Sequence, residues 1–250
     1  MNRILRWTEQ GIKYEADPRH AEIIIKDFDL DKAKGVSTPG TKEKGRTKDN
    51  CSEFLDDNKA SGYRAIVARM NYLAMDRPDI AFAVKEAARE ISKPTNGGWD
   101  RLKRIGRYLI HRPRMVIDYK WQRMPSQACI YTDADWAGCK QSRKSTSGGC
   151  IPLGKHLIKS WSKTQSLVAL SSGEREFYGA LKASVEGLGL IAMLKHFGVH
   201  VNGKVLGDAS AALGIIHRKG LGRTRHIDTG LLWIQQTAAE KLLEYAKVLG

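Results

Sequence analysis

The sequence predicts an α/β fold for its second half and a mainly helical region ahead of it. Three observations carry this. With 250 residues, 42% of them hydrophobic and 28% charged, the chain can bury a sizeable core and has the composition of a globular protein. Apolar residues recur at helical spacing from Tyr63 onward, and after Tyr119 they switch to short runs bounded by turn residues. From there the order of elements is strand, strand, strand, helix, strand, helix, helix, strand, in which a hairpin starts the sheet and helical crossovers extend it.

Taken in order, Ile4–Trp7 and Ile12–Tyr14 alternate around Gly11 and read as a short hairpin. Asp17-Pro18 then opens a helix carrying Ala21, Ile24, Ile25 and Phe28. From Gly35 to about Ala60 almost no apolar residue occurs, which predicts a flexible linker. Three helices follow: one on Tyr63, Ile66, Val67, Met70 and Leu73; one opened by Pro78 and running through Ile80, Val84 and Ala88; and one from Trp99 to Arg112, preceded by Gly97-Gly98. The third interleaves Arg101, Arg104 and Arg107 with Trp99, Tyr108 and His111, a pattern suited to phosphate contact and stacking, with a solvated helix face as the plainer reading.

In the second half, Ala128–Thr132 reads as a buried strand, and Gly148–Leu153 and Leu157–Trp161 flank a tight turn at Gly154-Lys155. A long helix from about Ser172 to His196 carries Phe177, Leu181, Val185, Leu188 and Leu194. A strand at Lys204–Gly207, a helix at Ala209–His217, a basic loop through Arg225, a helix to about Ala239 and a strand at Leu242–Val248 complete the order.

Lys+Arg 42 against Asp+Glu 27 gives a net charge of +15, the footprint of a polyanion binder. The second half holds only 9 of the 27 carboxylates, so each of them is worth weighing. The four cysteines form no CxxC pair, which points to reduced thiols and away from a zinc site or disulfide framework. The apolar stretch around Ile80–Val84 is far shorter than the roughly 18–20 residues of a bilayer crossing, and the N-terminus lacks a signal-like apolar run. An intracellular chain that is not secreted and has no membrane partner is the expectation.

Three acids fall at informative points. Asp133 lies at the C-terminal end of the first strand of the second half, Glu176 lies in the first turns of the long helix, and Asp208 ends the fourth strand. Carboxylates brought together need a cation, and oxygen-only ligands favour magnesium or manganese. Each has a plainer role open to it: Asp133 or Asp135 closing a turn, Glu174 or Glu176 balancing a helix dipole, Asp208 capping the next helix.

The runs ARMNYLAMDRPDIAFAV, WDRLKRIGRYL, YTDADWAG, RKSTSGG, SWSKTQSLVALSSGEREFYGAL, GDASAAL and RTRHID, in this order, resemble the C-terminal part of the Pol polyprotein of copia-type LTR retrotransposons. That part holds the end of the reverse transcriptase followed by its RNase H. The resemblance implies an RNase H-like mixed five-stranded sheet with flanking helices over residues 121–250. It implies reverse-transcriptase remnants ahead of it: a hairpin and helix at 1–34, a linker at 35–60 and a helical connection at 61–120.

The implied activity is hydrolysis of the RNA strand of an RNA–DNA hybrid with two Mg2+ ions, Mn2+ being an alternative. Asp133, Glu176 and Asp208 would be both catalytic residues and metal ligands, with Glu174 a competitor for the second place. Arg143, Lys144, Arg223 and Arg225 join Arg101, Arg104 and Arg107 as expected nucleic-acid contacts, and the upstream reverse transcriptase is an expected partner. A cytoplasmic virus-like particle or the nucleus is the implied location.

The sequence departs from the family pattern in four places. Gly173 stands where the family usually has Thr before the first Glu, Arg175 where it has Ala between the two acids, and Ala209 follows Asp208 where Asn is common. The family's fourth aspartate, in an Ala-Asp motif after the last strand, has no counterpart before Gly250, which leaves Asp228 as the nearby substitute and His226 as an aid to proton transfer. Asp56-Asp57 lies in a polar loop without the aromatic strand of a polymerase motif, so DNA synthesis by this chain is not expected.

Overall fold

The structure is a computed structural model describing residues 2–41, 53–135, 138, 142–222 and 224–248. It divides into two compact units, Met1–Trp121 and Gln122–Gly250.

In the first unit, β1 (Ile4–Thr8) and β2 (Gly11–Glu15) form the expected hairpin, with Gly11 starting the second strand. A third antiparallel strand, β3 (Val116–Lys120), pairs with β2 from Gly11↔Lys120 to Glu15↔Val116. The helical reading of residues 61–120 does not extend to this stretch. VIDYK is too short to show a periodicity, and its partner is about a hundred residues away, so only tertiary pairing reveals it.

Helix α1 (Pro18–Asp27) is capped by Asp17, whose carboxylate accepts the Arg19 N–H, with Pro18 at the first helical position. Helix α2 (Asp57–Ala74) starts inside the expected linker, because Asp56 accepts from Lys59 N–H and caps it. Helix α3 (Pro78–Ala88) follows, and then α4 (Asn96–His111). Thr95 caps α4 by accepting from Gly98 N–H, so Gly97 and Gly98 sit inside its first turn. A side chain at Gly98 would collide with the Glu90 carboxylate and the Tyr63 ring, which is why glycine is found within a helix here. Ile24, Phe28, Tyr63, Val67, Met70, Ile80, Val84, Leu102, Ile105 and Leu109 make one core, shared by the segments 1–34 and 61–120.

Parts of the expected linker are pinned. Val36 N–H donates to Arg107 C=O at 3.2 Å, Leu55 N–H to Pro94 C=O at 3.0 Å, and Phe54 bridges Thr95.

The second unit is built on a five-stranded mixed sheet in the order β6-β5-β4-β7-β8. Strands β4 (Gln127–Ala134), β5 (Thr146–Leu153) and β6 (His156–Thr164) form an antiparallel meander. Gly154 turns the last hairpin at φ +61°, a conformation open to glycine. Strands β7 (Asn202–Gly207) and β8 (Glu244–Lys247) add in parallel on the other side of β4. Parallel neighbours require crossovers, supplied by α5 (Ser172–His196) and by α6 (Ser210–His217) with α7 (Trp233–Ala239). This is the RNase H-like mixed sheet with flanking helices that the resemblance implies.

Helix α5, unlike the stretch around Ile80–Val84, is long and apolar enough by length and composition to cross a bilayer. Its buried residues, Phe177, Ala180, Leu181, Ala183 and Leu190 among them, belong to the sheet's own core with Ile130, Ile151 and Val205.

Candidate metal centre

The fold brings together the three acids that the sequence singles out. Asp133 lies next to the C-terminal end of β4, Asp208 directly follows β7, and the two strands are parallel neighbours, so their ends coincide in space. Glu176 comes from the first turns of α5, over the same sheet end. One carboxylate oxygen of each residue lies within 4.8 Å of those of the other two. Asp133 and Asp208 are exposed, whereas Glu176 is 3% exposed.

The plainer roles are taken by other residues or left unused. Helix α6 is capped at Ala209 without any side-chain hydrogen bond, so Asp208 is not its cap. Asp135 closes the turn into β5 by accepting from Thr146 N–H, whereas Asp133 accepts its neighbour's N–H, from Ala134 at 2.8 Å. Glu174 is committed elsewhere. Its buried carboxylate accepts from Leu170 N–H at 2.8 Å and Tyr178 O–H at 2.6 Å, and contacts His226 Nε2 at 3.0 Å. Burial opposes its ionisation, but these hydrogen bonds outweigh it and hold the carboxyl below the usual carboxylate range. Glu176, not Glu174, therefore shares the group with Asp133 and Asp208.

Burial, with Asp208 and Asp133 adding to it, pushes the Glu176 carboxyl up to about 7, against the pull of Arg175. Arg175 Nη1 lies 2.8 Å from Glu176 Oε1, yet that oxygen has no aligned hydrogen bond. Three hard oxygen donors, one of them buried and under-satisfied, fit a divalent cation of the magnesium or manganese kind.

Not every expected residue joins this centre. Asp228 is exposed, caps the 3-10 turn Thr229–Leu232 by accepting from Gly230 N–H at 2.7 Å, and lies outside the three-carboxylate group. His226 is held by Glu174. Arg143, with φ +55°, and Arg225 are exposed, and Lys144 is half-buried. Arg223 lies outside the described residues. On α4, Arg101 pairs with Glu90, Arg104 donates to Thr38 Oγ1 at 2.9 Å and Arg107 to Lys34 C=O at 2.8 Å, so all three have partners within their own unit.

Two residues outside the expected site set border the centre. Arg175 was visible only as a departure from the family pattern. Gln165, which is 8% exposed, donates through Nε2 to Ser147 Oγ at 2.9 Å and to Arg175 C=O at 2.8 Å; it lies in the SWSKTQSLVALSSGEREFYGAL run, where its spacing gives no sign of these partners.

No protein-family model matches the chain. The retrovirus-related Pol polyprotein from transposon RE2 of Arabidopsis thaliana is 34% identical over 200 residues, which cover 77% of this chain and 14% of that protein. The Pol polyprotein from transposon TNT 1-94 of Nicotiana tabacum is 28% identical over 236 residues, 92% of this chain and 18% of that protein. The chain belongs to the retrotransposon Pol family. It spans less than a fifth of the length of these two Pol relatives. In fold it is similar to a foamy viral protease-reverse transcriptase solved with double-stranded DNA, with a TM-score of 0.51, 11% identity, and coverage of 100% of this chain and 38% of that one. The second unit of this Pol chain has the RNase H-like fold, a mixed five-stranded sheet with flanking helices.

Proposed function

We propose that this copia-type Pol segment hydrolyses the RNA strand of RNA–DNA hybrids. The observation that carries the reading is the meeting of Asp133, Glu176 and Asp208 within 4.8 Å, from three elements distant in sequence. In this reading the three carboxylates hold two Mg2+ ions. When bound, such ions activate the attacking water and stabilise the leaving oxygen of the phosphodiester.

The protein's own contribution is positional. The strand ends fix Asp133 and Asp208 side by side, and α5 presents Glu176 from above, so the ligands are pre-organised before substrate arrives. Arg143, Lys144 and Arg225, on the same unit, take the hybrid's phosphates, with 2′-hydroxyl contacts telling RNA from DNA. The upstream reverse transcriptase supplies the hybrid, within an intracellular particle or the nucleus.

A second reading, hybrid binding without cleavage, is favoured by one observation: Asp228 caps a turn and lies outside the group. A labelled RNA–DNA hybrid with Mg2+ separates the two. Cleavage by the intact chain that is lost in Asp133→Asn supports the nuclease, and salt-sensitive binding with no product supports the remnant.

A further inference from the structure

We propose that Arg175 is a built-in counter-ion for Glu176, one that competes with a divalent cation for the three-carboxylate group and sets how tightly that group binds metal. The proposal rests on the reading of Asp133, Glu176 and Asp208 as a metal site.

The contact is short and sheltered. Arg175 Nη1 stands 2.8 Å from Glu176 Oε1, and the two side chains are 18% and 4% exposed, so water screens the pair weakly. The geometry is not that of a structural arginine. Arg77 in the first unit shows what such a residue looks like: its guanidinium grips both Asp79 oxygens and donates to the Arg112 and Pro113 carbonyls. Arg175 instead leaves Nε buried without a partner, and the Glu176 oxygen it faces has no aligned hydrogen bond. Charge, more than a hydrogen-bond fork, holds the guanidinium there.

The arrangement is imposed by the backbone. Gln165 Nε2 donates to Arg175 C=O, anchoring the main chain at this residue to β5 through Ser147. A cation held by Asp133, Glu176 and Asp208 shares the Glu176 carboxylate with Arg175, and two cations on one carboxylate repel. The guanidinium beside that carboxylate therefore weakens metal affinity. The same arginine relieves repulsion among the carboxylates when no metal is bound.

The test is a calorimetric titration of the purified full chain with Mn2+, for wild type, Arg175→Met, Arg175→Gln and Arg175→Lys, each checked for folding by circular dichroism. The neutral variants are expected to bind Mn2+ roughly tenfold more tightly than wild type, the size of effect a nearby charge has on a carboxylate, and the Lys variant to stay close to wild type. Whichever neutral variant folds decides the matter. Binding equal to or weaker than wild type overturns this proposal alone. An absence of Mn2+ binding in wild type and in every variant overturns the metal reading, and this proposal with it.

Discussion

Gln165 donates a hydrogen bond to the backbone carbonyl of Arg175 at 2.8 Å, and so fixes the residue that precedes Glu176. The same amide nitrogen reaches Ser147 Oγ, tying the exit of β6, the start of β5 and the first turn of α5 into one buried knot. The position of the buried Glu176 carboxylate is thus set from outside the acidic group. Replacing Gln165 by Leu leaves the Ser147 hydroxyl and the Arg175 carbonyl short of a donor. We expect a loss of about 2 kcal/mol in urea-induced unfolding, together with weaker Mn2+ binding. Unchanged metal affinity in a folded Q165L protein would show that the knot does not position Glu176.

Glu176 titrates high for a carboxylate, at about 7 against an ordinary 4.5. The folded state therefore holds this proton more tightly than the unfolded state does. The group's contribution to stability is complete below the ordinary value and is lost as pH rises through about 7. Glu176→Gln removes that loss. In chelator, the stability of E176Q relative to wild type is expected to rise by roughly 1–3 kcal/mol between about pH 5 and pH 8. Parallel pH profiles for the two proteins would contradict the burial and repulsion assigned to Glu176.

The two glutamates of the α5 N-terminus are expected to part company on substitution. Glu174→Gln disturbs three contacts that join the helix start to Leu170, Tyr178 and His226, and costs about 1–3 kcal/mol of stability while sparing Mn2+ binding. Glu176→Gln does the reverse, losing metal without losing the fold. Thermal melts with and without Mn2+ read both effects, and a Glu174→Gln protein that no longer binds Mn2+ would undo the assignment.

In the first unit, Arg77 is 1% exposed and satisfies the chain where α4 runs out, at Arg112 and Pro113. Arg77→Leu strands the Asp79 carboxylate and two carbonyls. A loss of roughly 3–5 kcal/mol is expected in chemical denaturation, as for one partner removed from a buried ion pair. A loss below about 1 kcal/mol would mean that Asp79 and Tyr108 hold this corner without it.

Much of this was legible in the residues because the signals were local. Asp17-Pro18 marks the start of α1, and Gly154-Lys155 marks the β5–β6 turn, because capping and turn geometry demand those residue types. The acidic group was legible because its carboxylates lie at strand ends and a helix start, where the topology must bring them together. What stayed hidden was non-local. Val116–Lys120 pairs with a strand a hundred residues earlier, and Gly97-Gly98, a breaker by composition, is held within α4 by its fit against Tyr63 and Glu90. Glu174 and Glu176 are indistinguishable by spacing, and only burial and partners separate them. The partners of Arg101, Arg104 and Arg107 were equally invisible, since Glu90, Thr38 and Lys34 reach them only in the folded unit.

The metal site is tested most directly by anomalous X-ray diffraction at the manganese edge from crystals of the chain grown with Mn2+. Manganese density bounded by the carboxylates of Asp133, Glu176 and Asp208 is expected, together with its disappearance in Asp133→Asn. Manganese bound elsewhere in the chain, or none between these three residues in well-ordered crystals, would contradict it.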